Sequence, residues 1–353
     1  MVNISAIDLF CGAGGLTHGL RKAGLRVNVG YDIDPVCRFP YEYNNEAEFI
    51  LKSVEEIKGV DLVKHFPEDH IKVIAGCAPC QPFSNYSRRY NIRASGTEFY
   101  RSSKWKLLDD FARLVKECMP DIVTMENVPQ LQQHEVFEKF ITKLEKLEYF
   151  IAFYEVNCQD YGVPQTRRRL VFFASQFGEI ELIPPTHDRD NYETVRKTIY
   201  NLEALKTGES SKTDPLHQCS KLSALNLRRI RASKQGGTWR DWPEDLIAKC
   251  HRKKSGKSYP SVYGRMEWDR PGPTITTQCF GFGNGRFGHP EQDRAISLRE
   301  AALLQTFPKK YQFFPPTEPF VFSYIGRLIG NAVPVKLGEV VGKSILNHIQ
   351  QKS

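Results

Sequence analysis

No apolar run in the 353 residues approaches the ~18 needed to span a bilayer, which excludes a transmembrane helix. A basic leader is also missing. The opening "MVNISAIDLFCGAGG" carries Asp8 and reads as the first strand of a fold, not as a signal peptide. Of nine cysteines (Cys11, Cys37, Cys77, Cys80, Cys118, Cys158, Cys219, Cys250, Cys279), only Cys77 and Cys80 have the CxxC spacing. With no second pair, a structural zinc site is not expected, and no other metal is. The odd number of thinly spread cysteines reads as reduced thiols in a cytosol. No internal repeat and no long low-complexity tract is present.

What is there is ordinary in bulk: 41% hydrophobic and 25% charged residues, in a length sufficient for two domains. The net charge of +8 is unevenly placed. Thr186 to Ile275 holds 18 Lys/Arg against 11 Asp/Glu, together with Trp239, Trp242 and Trp268 of the four tryptophans. Such a segment suits a phosphate backbone and unstacked bases, and on charge alone it suits a solvated basic face equally well.

Up to about residue 183, short apolar runs alternate with amphipathic ones. "ISAIDLF", "RVNVGYD", "IKVIAG", "DIVTMEN" and "RRLVFFA" read as buried strands; "LTHGLRKAG", "KLLDDFARLVKECM" and "HEVFEKFITKLEKL" read as helices. Repeated β-α-β units predict an α/β fold, a parallel sheet covered by helices with ligands at the carboxyl ends of its strands. The alternation breaks at "IPPTHDRDNYETV". Residues 1–185 with 322–353 are expected to form one domain, and 186–321 a second, smaller one.

Each candidate motif falls at a strand end. In "IDLFCGAGGLTHGL", Gly12, Gly14 and Gly15 precede a helix, and Asp32 follows Gly12 by 20 residues. Glycines let a ligand approach the backbone, and a carboxylate at that spacing accepts from ribose hydroxyls. Thr17 stands where a GxGxxG pattern needs its third glycine, so a pyrophosphate-bearing dinucleotide is disfavoured. A nucleoside without phosphates remains, with S-adenosyl-L-methionine the obvious candidate and a merely structural tight turn the alternative. In "AGCAPCQPF", Pro79 and Pro82 hold Cys80 in a rigid turn that aims a thiol into a cleft. Cys77, beside the strand, reads as packing; a thioredoxin-like redox pair is the competing reading. "DIVTMENV" presents Glu126 and Asn127 at another strand end, either as a proton donor or as a loop carboxylate. In "QTRRRL", period-two spacing points Arg167 and Arg169 to one face and Arg168 to the other, and two arginines there need an anion or other acceptors.

Together these motifs resemble the DNA (cytosine-5)-methyltransferase family of bacterial restriction-modification systems. The resemblance spans nearly the whole chain in order: "DLFCGAGG" (8–15), "PCQPFS" (79–84), "ENV" (126–128), "QTRRR" (165–169), "RPGPTITT" (270–277), "SLREAALLQTFP" (297–308) and "GNAVP" (330–334). It implies a Rossmann-like methyltransferase sheet with a second, target-recognition domain. It also implies methyl transfer from S-adenosyl-L-methionine, leaving S-adenosyl-L-homocysteine, to C5 of a cytosine flipped out of duplex DNA. Cys80 is then the nucleophile that adds to C6 and Glu126 the group that protonates N3. Arg167 would hold the cytosine carbonyl, and Arg169 would support the catalytic loop or a phosphate. The cofactor would meet Phe10, Gly12, Gly14, Leu16, Asp32, Ile33, Pro79, Leu107, Asn331 and Val333, the last two implying that the C-terminal helix packs back on the first domain. Where the family usually carries an aspartate for the adenine amine, this chain has Ser53 followed by Val54.

The resemblance also makes Ser84 to about Ser103, with Arg88, Arg89, Arg93, Gly96 and Arg101, a lid that closes over DNA. Ser84, Arg88 and Arg89 are its expected DNA contacts. In the recognition region the candidates are Arg228, Arg229, Arg231, Arg240, Arg252, Lys253 and Lys254. A tRNA cytosine-5 methyltransferase shares the catalytic set, but its relatives carry a shorter insert before "RPGPTITT". The expected setting is a monomer in the bacterial cytosol, at the nucleoid. A cognate restriction endonuclease would act on the same DNA site without direct contact.

Overall fold

The computed structural model describes residues 3–79, 106–253, 256 and 260–352. The chain divides into two compact units, one of Met1–Asn157, Arg168–Pro185 and Val333–Ser353, the other of Cys158–Arg167 and Thr186–Ala332. Among the described residues no helix is long and apolar enough to cross a membrane.

The first unit is built on a seven-stranded sheet. Its strands are β1 (Ile4–Leu9), β2 (Arg26–Asp32), β3 (Glu48–Leu51), β4 (Ile71–Gly76), β5 (Ile122–Asn127), β6 (Phe150–Asn157) and β7 (Arg168–Ser175). Their order across the sheet is β3-β2-β1-β4-β5-β7-β6. The first five pair in parallel, whereas β7 runs antiparallel to both β5 and β6. The expected all-parallel sheet is therefore corrected at one edge: β6 and β7 are joined by ten residues without a crossover helix, and a connection of that kind returns the chain antiparallel. Every residue of β1 and β5 is buried, as continuous apolar runs require when a sheet is covered on both faces.

Helix α1 (Gly15–Ala23) starts at Gly14 (φ +84°) and stops at Gly24 (φ +108°), both left-handed positions that glycine adopts without strain. The C-terminal helix Val335–Lys352 lies against it at very short range. A Cβ on Gly19 would stand 2.4 Å from the Val335 carbonyl oxygen, and one on Gly338 2.9 Å from that of Leu16. The amphipathic helix Lys106–Cys118 buries Leu108, Phe111, Ala112, Leu114, Val115 and Cys118, and Phe111 meets Phe140 of the helix Glu135–Glu145 at 5.8 Å between centroids.

The second unit takes in two segments expected in the first. Residues 158–167 belong to it because Gln165–Thr166 pairs in parallel with Gly272–Pro273, and because Gln165 donates to the Leu304 carbonyl (2.6 Å) and accepts from the Ile275 amide (2.8 Å). The helix Phe322–Asn331 belongs to it because Gly330 abuts the Thr276 backbone, which a Cβ would meet at 2.2 Å. In "SLREAALLQTFP", Ser297 and Glu300 form a reciprocal capping box that starts the helix Leu298–Leu304. Burial disfavours the Glu300 carboxylate, but two 2.7 Å bonds from the fully buried Arg294 outweigh it and hold the pKa at about 2.

Trp239, Trp242 and Trp268 are each only 5% exposed, and the first two pack with Ile230, Leu246, Phe282 and Ala295. They fill the core of this unit, so they are not platforms for unstacked bases. Hydrophobic burial of large aromatic rings is what stabilises a unit with so little regular structure.

Candidate active site

At the carboxyl ends of β1 and β2 the backbone takes an unusual path. Phe10 (φ +60°), Gly12 (φ +52°) and Gly14 (φ +84°) are all left-handed, and for Phe10 that conformation is strained. The path is tied down: the Cys11 amide donates to the Tyr31 carbonyl (3.1 Å) and the Gly12 amide to Asp32 Oδ2 (2.9 Å). Asp32 Oδ1 accepts from the Asp34 amide (3.0 Å), and burial raises the Asp32 pKa. A Cβ placed on Gly12 would meet nothing within 4 Å, so the space before the turn is open. Ile33, next to the carboxylate, is 71% exposed. An open cradle, a carboxylate with lone pairs to spare and a bare apolar side chain fit a nucleoside: hydroxyls for Asp32, an adenine face for Ile33.

Behind this turn lies Asp8, fully buried, its Oδ2 accepting from Thr17 Oγ1 at 2.6 Å while Thr17 also meets the Tyr41 hydroxyl at 3.0 Å. Burial pushes the Asp8 pKa up to about 7. Thr17, in the place of the third glycine of a dinucleotide turn, thus has a partner of its own.

The second group of side chains stands where β4 and β5 end side by side. Their register pairs Gly76 with Met125, so the next residues, Cys77 and Glu126, come out as neighbours. Glu126 is 4% exposed. Arg169 Nε lies 2.8 Å from its Oε1, and the Cys77 thiol donates to its Oε2 at 3.1 Å. Asn127 Nδ2 donates to the Ala78 carbonyl at 3.1 Å, and its Oδ1 accepts from the Val128 amide. A carboxylate so buried needs a counter-charge, which Arg169 supplies from the adjacent antiparallel strand β7. The pair holds one carboxylate at a fixed point beside the end of β4.

Arg167 and Arg169 do not act as a pair. Arg167 lies outside any strand, in the second unit, 3% exposed, and its guanidinium donates to the Ile275 (3.0 Å) and Ala332 (3.3 Å) carbonyls. Arg168 pairs with Glu155 across the β6–β7 ladder. The period-two reading fails because the chain leaves its short pairing at Gln165–Thr166 before entering β7.

Other expected residues vary in availability. Phe10 and Leu107 are partly buried against the core of the first unit, and Leu16 and Val333 are buried. Pro79 is partly buried and Asn331 exposed, the latter in the second unit. Val54 is 3% exposed within the core; the neighbouring Ser53, partly exposed, uses its hydroxyl to accept from the Glu55 amide (3.3 Å). Among the DNA candidates, Arg228 pairs with Asp245 (2.7 Å) and Arg231 with Asp293 (3.0 Å), both at the surface. Arg229 donates to the Leu246 carbonyl and lies over the Trp242 and Tyr263 rings, a structural position. Arg240 is exposed over Trp239, and Arg252 donates to the Glu244 carbonyl. Cys80, Ser84, Arg88, Arg89, Arg93, Gly96, Arg101 and Lys254 lie outside the described residues. The eight described cysteines are free thiols, and no group of three or more His, Cys, Asp or Glu among the described residues is placed to hold a metal ion.

Two side chains near these groups make contacts that the sequence did not suggest. Cys77 reads as packing but touches Glu126, and the signal was the equal reach of "IKVIAG" and "DIVTMEN" as neighbouring strands. Asp8 passed as part of a strand, although a lone acid in an otherwise apolar run is itself a signal.

Comparison with known proteins finds relatives along nearly the whole chain. Residues 4–347 match the family model for C-5 cytosine-specific DNA methylases. The chain is 54% identical to the Type II methylase M.HgiDII of Herpetosiphon aurantiacus over 349 residues, 98% of this chain and 96% of that one. It is 30% identical to the Type II methyltransferase M1.HphI of Haemophilus parahaemolyticus, covering 98% and 87%. In fold it is similar to a putative DNA modification methyltransferase encoded within an E. coli prophage, with a TM-score of 0.74 at 22% identity and 99% and 100% coverage. The chain belongs to the C-5 cytosine-specific DNA methylase family.

Proposed function

We propose that this protein is the modification enzyme of a Type II restriction-modification system. It methylates C5 of one cytosine in a specific duplex DNA sequence, with S-adenosyl-L-methionine as donor. The observation that carries this reading is the buried Glu126 carboxylate, held by Arg169 beside the stem that leads through Pro79 to Cys80. The "Type II" assignment rests on relatives of that name matched along nearly their whole length.

Cytosine C5 is a poor nucleophile, and the base must be activated. Cys80 thiolate adds to C6, forming a C–S bond and moving an electron pair toward N3. Glu126 gives N3 a proton as that charge develops. Arg169, beside Glu126, is the better placed of the two arginines to steady the base carbonyl as well; Arg167, held by two backbone carbonyls, keeps the strand leading to it in place. S-adenosyl-L-methionine, when bound, supplies an electrophilic methyl group; Gly12 and Gly14 would cradle it, Asp32 take its ribose hydroxyls and Ile33 its adenine. Loss of the C5 proton, departure of Cys80 as thiolate and return of the N3 proton to Glu126 then restore the ring. The target must leave the helical stack, and the basic recognition region would hold the duplex while it does.

The test is transfer of a labelled methyl group from S-adenosyl-L-methionine by purified protein to duplex DNA and, separately, to tRNA. Label in DNA that is chased into 5-methylcytosine is the expected result. Label in tRNA and never in duplex DNA would overturn the reading.

A further inference from the structure

The Cys77 thiol has no part in the chemistry just described, yet it touches the carboxylate on which that chemistry depends. Glu126 is 4% exposed, and its two oxygens have different partners: Arg169 Nε at Oε1 (2.8 Å) and Cys77 Sγ at Oε2 (3.1 Å). The contact is built by sheet register, since Gly76 pairs with Met125 and the following residues emerge together. Gly76 is itself pinned, because a Cβ there would stand 3.0 Å from the Leu9 carbonyl oxygen and 3.3 Å from the Phe111 ring. The Cys77 amide donates to that same Leu9 carbonyl at 3.2 Å. One residue on, Asn127 Nδ2 reaches the Ala78 carbonyl at 3.1 Å. Two consecutive residues of β5 thus grip two consecutive residues of the segment leading to Pro79.

We propose that Cys77 is a positioning residue for base protonation, whose thiol holds Glu126 Oε2 and ties the proton donor to the stem that carries the nucleophile. A thiol suits the place. It satisfies a buried carboxylate oxygen, yet as a weak donor it yields that oxygen when a stronger donor on the base arrives. Cys77→Ala leaves Oε2 without this donor and lets Glu126 swing about its remaining anchor. The inference rests on the reading of Glu126 as the group that protonates the base.

The experiment compares Cys77→Ala, Cys77→Ser, Glu126→Gln and the double variant Cys77→Ala/Glu126→Gln, measuring kcat, KM for DNA and melting temperature. Loss of one hydrogen bond to a charged group predicts roughly a tenfold fall in kcat for Cys77→Ala, with KM for DNA within about twofold. Cys77→Ser, which keeps a donor, recovers most of the lost rate. In the Glu126→Gln background Cys77→Ala costs little more, because its effect runs through Glu126. A Cys77→Ala enzyme with wild-type kcat overturns the proposal, as does an equal fall in both backgrounds or a Cys77→Ser no better than Cys77→Ala. If Glu126→Gln alone retains full activity, the reading of Glu126 fails and the proposal fails with it. An inactive Glu126→Gln beside a wild-type Cys77→Ala sinks the proposal alone.

Discussion

Asp8 is the residue whose environment most opposes its usual charge. It is fully buried with Thr17 on one oxygen, and its other oxygen has no hydrogen-bond partner among the described residues. Burial, with a smaller contribution from Asp32, raises its pKa from 3.8 to about 7. Between those values the unfolded chain has released its proton and the folded chain has kept it, so stability falls as pH rises through the window and levels off above about 7. The loss is on the order of 4 kcal/mol. Asp8→Asn mimics the protonated form, so its melting temperature relative to wild type climbs from pH 4 to pH 7 and then stays flat; a constant difference across that range would contradict this. Arg167 and Arg169 of "QTRRR" separate in the same spirit. Arg169→Lys keeps a positive charge beside Glu126 but loses the planar guanidinium, and is expected to lower kcat about 100-fold with little change in melting temperature. Arg167→Ala breaks two charge-assisted bonds to backbone carbonyls and is expected to cost about 3 kcal/mol in denaturant unfolding. The reverse pattern would return the base-facing role to Arg167. None of this division was legible in the sequence, because both side chains sit in one motif and only the start of β7 between them sends them to different partners.

At the scale of elements, the contact between α1 and the C-terminal helix decides how firmly the glycine turn is backed. Gly19→Ala would put a methyl group 2.4 Å from the Val335 oxygen and 2.6 Å from the Glu339 amide nitrogen, both backbone atoms that cannot rotate aside. The helices must part, at a cost of roughly 1–3 kcal/mol, read as a lowered melting temperature. An unchanged melting temperature would mean that the helices are not packed this closely. Five of the seven strands were legible as apolar runs bounded by turns, and three helices as amphipathic periods. Missed were β3, only four residues long at the sheet edge, and β6, the other edge strand, whose Phe150 and Phe153 are exposed and whose pattern has no buried run. Direction was not legible either: a strand's apolar content does not say which way it runs, whereas the short connection before β7, with one 3-10 turn and no crossover helix, does.

For the whole molecule, the position of charge was readable and the position of the aromatics was misleading. The basic excess of Thr186–Ile275 is real, but its tryptophans are core, and Arg228, Arg229 and Arg231 already have partners at Asp245, the Leu246 carbonyl and Asp293. Composition cannot tell an arginine that braces a tryptophan from one that awaits a phosphate, since both lie in the same basic, aromatic-bearing stretch. The glycine turn and Glu126 do stand at strand ends, where chemistry in such sheets collects. The central claim, that this chain methylates cytosine C5 in DNA through Cys80, is tested most directly by bisulfite sequencing of DNA from cells expressing the wild-type protein or its Cys80→Ser variant. Cytosines within one recurring sequence should resist conversion with the wild type and convert fully with the variant. Uniform conversion with the wild type, or protection that survives Cys80→Ser, would contradict the account.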